Sequence, residues 1–215
     1  MTENIVIIDY GSGNLRSVEK SFQRAAQHLG GAFSVCVSDD AGAIADADRL
    51  ILPGVGAFGA CMDGLKQRPG VLDALRDAVI NRAQPFLGIC VGMQLLATKG
   101  YELGEHAGLD WIDGSVGIIA PDIETLRRPH MGWNDIKIHL THPVFSGLDG
   151  AAFYFANSFC FTPSDANAIV ATTGYGQDFA SCVARDNIVG VQFHPEKSQD
   201  AGATLIENFL NWQPG

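Results

Sequence analysis

The sequence has few basic residues, no closely paired cysteines and no long apolar run. Only 14 of its 215 residues are Lys or Arg, against 24 Asp and Glu, which leaves a net charge of −10 with histidine neutral. A protein that binds nucleic acid through the phosphates normally has the opposite balance, so we expect no nucleic-acid partner. No stretch reaches the roughly 18 apolar residues of a membrane-spanning helix, and the amino terminus lacks the basic segment of a signal peptide, so we expect no membrane partner.

The cysteines do not form the pattern of a disulfide framework or of a zinc site. Five is an odd number, and no two of them are separated by only two residues. We therefore expect reduced thiols, no metal and a cytoplasmic protein. A third glycine is missing from the Gly11-Ser12-Gly13 segment at the spacing of a dinucleotide fingerprint, so no cofactor is predicted.

The remaining composition is typical of one folded globular domain, with 47% apolar and 18% charged residues. At roughly 150 residues per domain, we expect residues 1–215 to form a single domain. Its first half alternates short β-branched runs with apolar residues at helical spacing, at residues 5–8, 15–29, 33–37, 49–52, 71–79 and 86–89. This order predicts an α/β fold, with an open, mostly parallel sheet flanked by helices.

The second half has mostly short strand patterns and one closing helix. The strands are predicted at residues 136–138, 153–155, 169–172, 179–184 and 188–192, and the helix lies around residues 205–210. We interpret these strands as an antiparallel extension of the sheet in the C-terminal half.

Cys90 has the surroundings of a catalytic nucleophile. In Gly88-Ile89-Cys90-Val91-Gly92-Met93-Gln94 an apolar strand leads into a turn with glycines two residues before and after the thiol, and a helix pattern follows. This is the nucleophile elbow of hydrolases with sulfur in place of oxygen. The start of a helix favours a thiolate over a thiol. The alternative is a buried cysteine with only a packing role.

His194 is the histidine best placed to serve as the base. The predicted strand at residues 188–192 leads into His194-Pro195-Glu196, where Pro195 favours extended geometry for the residue before it. In an extended segment His194 and Glu196 project to the same side. The carboxylate can then orient the imidazole and stabilise its protonated form. The alternative is a polar strand end without a catalytic role.

The Pro53-Gly54-Val55-Gly56 turn follows the third predicted strand. At the carboxyl edge of a parallel sheet, such a turn can direct backbone N–H groups at a developing negative charge. An ordinary strand-to-helix turn is the alternative interpretation.

Five segments, taken in order, resemble the class I (triad-type) glutamine amidotransferases, and among these the glutaminase subunits of imidazole glycerol phosphate synthases from histidine biosynthesis. The segments are Asp9-Tyr10-Gly11-Ser12-Gly13-Asn14, Pro53-Gly54-Val55-Gly56, Gly88-Ile89-Cys90-Val91-Gly92-Met93-Gln94, Pro129-His130-Met131-Gly132-Trp133-Asn134 and Gly190-Val191-Gln192-Phe193-His194-Pro195-Glu196-Lys197-Ser198. The resemblance implies that Cys90 attacks the side-chain amide of glutamine, that His194 transfers the proton and that Glu196 holds His194. It also implies an oxyanion hole from Val91 with Val55 and Gly56, and glutamine contacts by Gly54, Gln94, Ser158 and Phe159.

The resemblance also implies a partner, because nothing in the predicted domain would use the ammonia. That partner is a cyclase subunit with a (β/α)8 barrel, bound in a heterodimer. Met131 and Trp133 fall in a predicted loop interrupted by proline and glycine, where large apolar side chains are costly unless covered. We therefore predict a docking surface formed by Pro129, Met131, Trp133, Tyr154 and Lys197.

Two positions depart from the pattern of the family, and other functions stay open. Asn157 stands where the family commonly has histidine, and Phe159 where tyrosine is frequent. The alternatives are a glutaminase subunit for pyridoxal phosphate synthase, one for a sugar-amination enzyme, a stand-alone γ-glutamyl hydrolase and a catalytically silent scaffold.

Overall fold

The computed structural model describes residues 2–119 and 126–215. The strands are β1 (Glu3–Ile8), β2 (Phe33–Ser38), β3 (Arg49–Gly54), β4 (Phe86–Cys90), β5 (Lys99–Gly100), β6 (His106–Ala107), β7 (Gly114–Ile118), β8 (His130–Asp135), β9 (Lys137–Ile138), β10 (Ala152–Asn157), β11 (Phe159–Pro163), β12 (Ile169–Tyr175), β13 (Gln177–Arg185) and β14 (Ile188–Val191). The helices are α1 (Leu15–His28), α2 (Ala41–Ala45), α3 (Phe58–Gln67), α4 (Val71–Arg76, continued by a π turn at Asp77–Asn81), α5 (Val91–Gln94) and α6 (Gln199–Asn211).

The main sheet has eight strands in the order β2-β1-β3-β4-β14-β13-β12-β9. The strands from β2 to β14 pair in parallel, and β13, β12 and β9 continue the sheet in antiparallel pairing. All residues of β3, β4 and β14 are buried, as expected for strands covered on both faces. The predicted mostly parallel sheet with an antiparallel extension is confirmed.

Helices cover both faces of this sheet. The apolar stripe of α1 packs against α6, where the rings of Phe22 and Phe209 are 6.4 Å apart. From β1 the chain moves through α1 to β2 at one edge of the sheet, and from β2 it moves in the opposite direction to β3 and then to β4. Because crossovers between parallel strands are right-handed, this reversal places α1 on one face of the sheet and α2–α4 on the other. Within residues 2–119 and 126–215, no helix is both long and apolar enough to cross a bilayer.

Several strand predictions for the second half are wrong in detail. β8 and β10 form a separate two-stranded sheet, and β11, β7, β5 and β6 form another with four strands. β14 pairs in parallel with β4, and thus completes the parallel half of the main sheet. Ile136, predicted to lie within a strand, falls between β8 and β9.

The predicted loop around Trp133 is also wrong, because residues from His130 onward form β8. This strand buries His130 and turns Met131 and Trp133 outward. In β8 the polar His130 is therefore buried while two large apolar residues are exposed, the reverse of the usual pattern in a strand. For that reason the sequence does not indicate a strand here.

Helix α3 was not predicted, since its sequence includes Gly59 and Gly64. A Cβ at Gly64 would lie 2.6 Å from the carbonyl oxygen of Tyr10, and one at Gly59 would collide with the His106 ring. The glycines weaken the local helix signal but let α3 approach its neighbours closely.

Candidate active site

Cys90 lies on a strained turn between β4 and α5. Its backbone angles are φ 55° and ψ −111°, a combination that side-chain-bearing residues rarely adopt. A Cβ at Gly88 would lie 2.6 Å from the Gly92 carbonyl oxygen, and one at Gly92 would overlap the Leu52 carbonyl oxygen. Both glycines are therefore required for the turn, as the elbow pattern predicts. Helix α5 is a single turn, so its dipole stabilises a thiolate less than a long helix would.

His194 and Glu196 form a buried pair beside Cys90. Nδ1 of His194 is 2.9 Å from Oε1 of Glu196, and the two side chains are 5% and 1% exposed. The His194 N–H donates to the Tyr154 carbonyl (2.9 Å), and the Ser198 hydroxyl donates to the His194 carbonyl (2.6 Å). His194 itself is extended, but Glu196 belongs to a 3-10 turn (Pro195–Lys197), so the predicted extended geometry holds only for the histidine.

The charges in this pair favour a protonated imidazole. Burial by itself lowers the pKa of His194, but hydrogen bonds and charge interactions with Cys90 and Glu196 outweigh it and raise the pKa to about 9. This raised pKa favours the protonated form of His194, whose ring interacts with both the Glu196 carboxylate and the sulfur of Cys90. This arrangement places a proton donor next to the sulfur of Cys90.

Ser12 forms hydrogen bonds with both polar groups of Val55. The Val55 N–H donates to Oγ of Ser12 (3.3 Å), and the Val55 carbonyl accepts from the Ser12 hydroxyl and from Sγ of Cys61 (3.4 Å). Tyr10 fixes the peptide between Pro53 and Gly54, because its hydroxyl donates to the Pro53 carbonyl (2.8 Å). In this structure the Val55 N–H is thus bonded to a side chain and is not available to an oxyanion.

A cavity of about 450 Å³ opens in front of Cys90. Its lining contains ten of the predicted site and interface residues, along with four others: Val55, Gly56, Ala57, Cys90, Val91, Gln94, Glu102, Pro129, Ala156, Asn157, Ser158, Phe159, His194 and Lys197. Glu196 lies behind His194 instead of in the wall. Gly54 does not line the cavity either; it pairs with Cys90 across β3 and β4, and a Cβ there would lie 2.6 Å from the Tyr10 hydroxyl.

Glu102 is a cavity residue that sequence reasoning missed. Its carboxylate accepts the Phe58 N–H at the start of α3 (2.8 Å) and faces the same cavity as Cys90. No motif surrounds it in the sequence, and only the return of the chain past α3 brings it to the site. A carboxylate at this position can hold an ammonium group of a small substrate.

The predicted docking residues share one surface beside the cavity. Met131 is 64% and Trp133 49% exposed, although both are large and apolar. The Trp133 ring meets Tyr154 edge to face at 6.2 Å, and the ammonium group of Lys197 lies 5.7 Å from the centre of the Tyr154 ring. Pro129 and Lys197 also line the cavity, so this surface and the cavity mouth are continuous.

Comparison with known proteins places these features in context. The profile of the glutamine amidotransferase class-I family matches residues 6–212. The chain is 51% identical to the imidazole glycerol phosphate synthase subunit HisH of Caulobacter vibrioides, over 99% of this chain and 100% of that protein. It is 48% identical to the protein of the same name from Brucella abortus, over 98% and 99%.

Solved structures share the fold at lower identity. A crystal structure described as a glutamine amidotransferase matches with a TM-score of 0.69 and 18% identity, over 95% of this chain and 98% of that one. A glutamine amidotransferase from Thermotoga maritima matches with a TM-score of 0.63 and 16% identity, over 91% and 77%. At these identities the likeness concerns the fold alone.

Proposed function

The chain belongs to the class-I glutamine amidotransferase family, and on that basis we propose that it is the glutaminase subunit of an imidazole glycerol phosphate synthase. It hydrolyses glutamine to glutamate and ammonia, and passes the ammonia to a cyclase partner in histidine biosynthesis. The observation that carries this proposal is the buried His194–Glu196 pair beside the strained Cys90, at the bottom of a cavity large enough for an amino acid.

Catalysis proceeds through a thioester on Cys90. The thiolate attacks the side-chain amide carbon of glutamine, and the His194 imidazolium protonates the departing amine, so that ammonia leaves as the C–N bond breaks. His194, now neutral, takes a proton from water, which attacks the thioester carbon. The C–S bond then breaks, glutamate is released and the sulfur returns to the thiolate. Glu196 orients the His194 ring throughout and stabilises it whenever it is protonated.

The oxyanion is stabilised by the Val91 N–H and, after a change in the Val55–Gly56 segment, by a second N–H from that segment. Ser12 holds the Val55 N–H in the resting chain, so one donor is missing. Loss of one such donor typically costs about 10²–10³ in kcat. We therefore expect the chain alone to be a slow glutaminase that accelerates when its partner, with ligand bound, reorients the segment.

Glutamine binds in the cavity in front of Cys90. Glu102 holds its α-ammonium group, and Ser158, Phe159 and Gln94 surround the rest of the molecule, in line with their positions in the cavity wall. Gly54 contributes by its lack of a side chain, since it leaves room for the Cys90 turn. This division of roles predicts that substitutions at Glu102 mainly raise KM.

The cyclase partner, a (β/α)8 barrel, binds the surface formed by Pro129, Met131, Trp133, Tyr154 and Lys197. An exposed tryptophan and methionine next to the cavity mouth support this placement, because such apolar surface is usually covered by a partner. Docking there closes the cavity toward the acceptor enzyme and keeps ammonia from solvent.

The test is glutaminase activity of the purified chain, alone and with the cyclase partner and its nucleotide ligand, beside Cys90→Ala. We expect low activity alone, a strong rise with partner and ligand, and none in the Cys90→Ala variant. Full activity without the partner would instead indicate an independent hydrolase. A complete lack of activity in every mixture would overturn the proposal and favour a silent scaffold.

A further inference from the structure

We propose that Gln192 is a further catalytic residue, whose side-chain amide donates a hydrogen bond to the Cys90 sulfur, and that Gln94 is the positioning residue that orients it. The inference rests on the proposed function, because it assigns these residues to the thiolate chemistry of Cys90. It gives Gln94 a role beyond contact with glutamine.

Gln192 is completely buried between β14 and the catalytic histidine. Its Nε2 lies 3.7 Å from Sγ of Cys90, within hydrogen-bond range for sulfur. The backbone N–H of Gln192 donates to the Ser181 carbonyl (2.9 Å), which anchors the residue to β13. Cys90 therefore has two neighbouring N–H donors. One is His194, and the other is the side-chain amide of Gln192, which precedes His194 by two residues.

The direction of the Gln192 amide follows from a backbone carbonyl. Nε2 of Gln94 lies 3.1 Å from the Phe159 carbonyl oxygen, which can only accept, so this end of the Gln94 side chain must be the NH₂ group. The second N–H of the same group donates to Oε1 of Gln192 (3.0 Å). The oxygen of Gln192 therefore faces Gln94, and its NH₂ group must face Cys90.

An amide donor in this position differs chemically from His194. It cannot give up its proton at neutral pH, so it stabilises the thiolate without competing for the proton that His194 transfers. It also favours the step in which the thioester C–S bond breaks and the electron pair returns to sulfur. Hydrogen bonds to charged groups are stronger than neutral ones, so the contact favours the thiolate over both thiol and thioester.

The experiment measures alkylation of Cys90 by iodoacetamide across pH, in the chain alone and without glutamine, with the Cys90 peptide followed by mass spectrometry. Gln192→Met removes the donor at similar volume. We expect the rising limb of its pH profile to move upward, so that the alkylation rate at a given pH on that limb falls about tenfold while the high-pH plateau is kept, because a thiolate hydrogen bond has been lost.

Gln94→Met tests whether Gln94 orients the Gln192 amide. It also provides a second test of the proposal if the Gln192→Met variant does not fold. It should move the profile in the same direction by a smaller amount, and the double variant should match Gln192→Met alone. The matched control is Asn187→Leu, which removes another buried amide just before β14, where its NH₂ group donates to the Val79 and Gln84 carbonyls. That variant should lose stability but keep the wild-type profile.

A Gln192→Met profile that superimposes on the wild-type profile would overturn the inference. So would an equal loss of rate at every pH, because that indicates a purely structural role. Neither result depends on glutamine turnover. The proposed function fails separately, if wild-type chain with partner and ligand shows no glutaminase activity or if Cys90→Ala keeps it.

Discussion

In the proposed mechanism, Glu196 acts through a single oxygen. Its Oε1 contacts His194, whereas Oε2 is buried without a hydrogen-bond partner among residues 2–119 and 126–215. Glu196→Gln keeps the shape but leaves the buried His194 cation without its carboxylate, so we expect some loss of stability as well as of rate. The imidazolium loses its counter-charge, and kcat measured with the partner should fall at least about a hundredfold. A variant with normal kcat would show that the carboxylate only supports the fold.

His130 makes stability depend on pH in the acid range. The ring is buried and packs 4.8 Å from Phe155 and 4.1 Å from Tyr175, and burial lowers its pKa to about 4. The pKa of a histidine in the unfolded chain is near 6.5. Between that pH and about pH 4, His130 is protonated in the unfolded chain but neutral in the folded one. The stabilising contribution is therefore complete above about pH 6.5 and is lost as pH falls, by about 3 kcal/mol in all.

Urea denaturation at several pH values between 4 and 7 measures this effect. His130→Gln should have a shallower decline of unfolding free energy toward acid than the wild type, although burial of His142 lowers that pKa too and leaves part of the slope. Parallel declines in the two proteins would contradict the assignment to His130.

At the scale of elements, the β3–α3 connection is held by the β1–α1 connection. The Ser12 hydroxyl bonds both the N–H and the carbonyl of Val55. Ser12→Ala removes both hydrogen bonds, which oppose reorientation of the Val55–Gly56 segment. Each such bond contributes roughly 1 kcal/mol, so the glutaminase rate of the chain alone should rise about fivefold for each bond removed. The rate with partner and ligand should change little.

Ser21→Ala is the matched control for this substitution, because the Ser21 hydroxyl also donates to a backbone carbonyl, that of Ser17 within α1 (3.0 Å). It should leave both rates unchanged. An unaltered rate for Ser12→Ala in the absence of partner would mean that the serine does not restrain the segment.

Packing of α3 reverses the usual effect of alanine in a helix. Gly→Ala in a helix interior normally stabilises by about 1 kcal/mol. At Gly64 the new Cβ would lie 2.6 Å from the Tyr10 carbonyl oxygen, a backbone atom that cannot rotate away. Gly64→Ala should therefore destabilise by about 1–3 kcal/mol, seen as a lower Tm. Gly117→Ala, with nothing within 4 Å of its Cβ, should have a much smaller effect.

At the scale of the whole molecule, the proposed docking surface for the partner is the apolar surface beside the cavity. Trp133→Ala should weaken binding of the cyclase partner by about 2 kcal/mol, roughly thirtyfold in Kd, because exposed tryptophans in interfaces are frequent hot spots. Titration calorimetry measures the change, and the chain alone should keep its stability and slow glutaminase rate.

Leu140→Ala is the matched control for Trp133, since Leu140 is also a large, exposed apolar residue but follows β9 at the far edge of the main sheet. Equal losses for the two variants would move the docking surface away from Trp133.

The sequence by itself identified the candidate catalytic residues and most strands of the central sheet. β1, β3 and β4 lie in buried apolar runs, and such runs are recognisable because parallel strands are covered on both faces. The apolar run of β14 was recognisable too, but its parallel pairing with β4 was not predicted. Cys90 was identifiable because the two glycines that its turn requires are close to it in the sequence. His194 and Glu196 were identifiable because they belong to one short motif.

Tertiary structure alone decided what depends on segments far apart in sequence. β8 is a strand because β10 pairs with it, and Glu102 faces the cavity in front of Cys90 because its carboxylate accepts the Phe58 N–H at the start of α3. The Val55 peptide is set by Ser12, and the Gln192 amide by Gln94 and the Phe159 carbonyl. Hydrogen-bond partners separated by tens of residues leave no periodicity or motif, so these contacts exist only once the chain has folded.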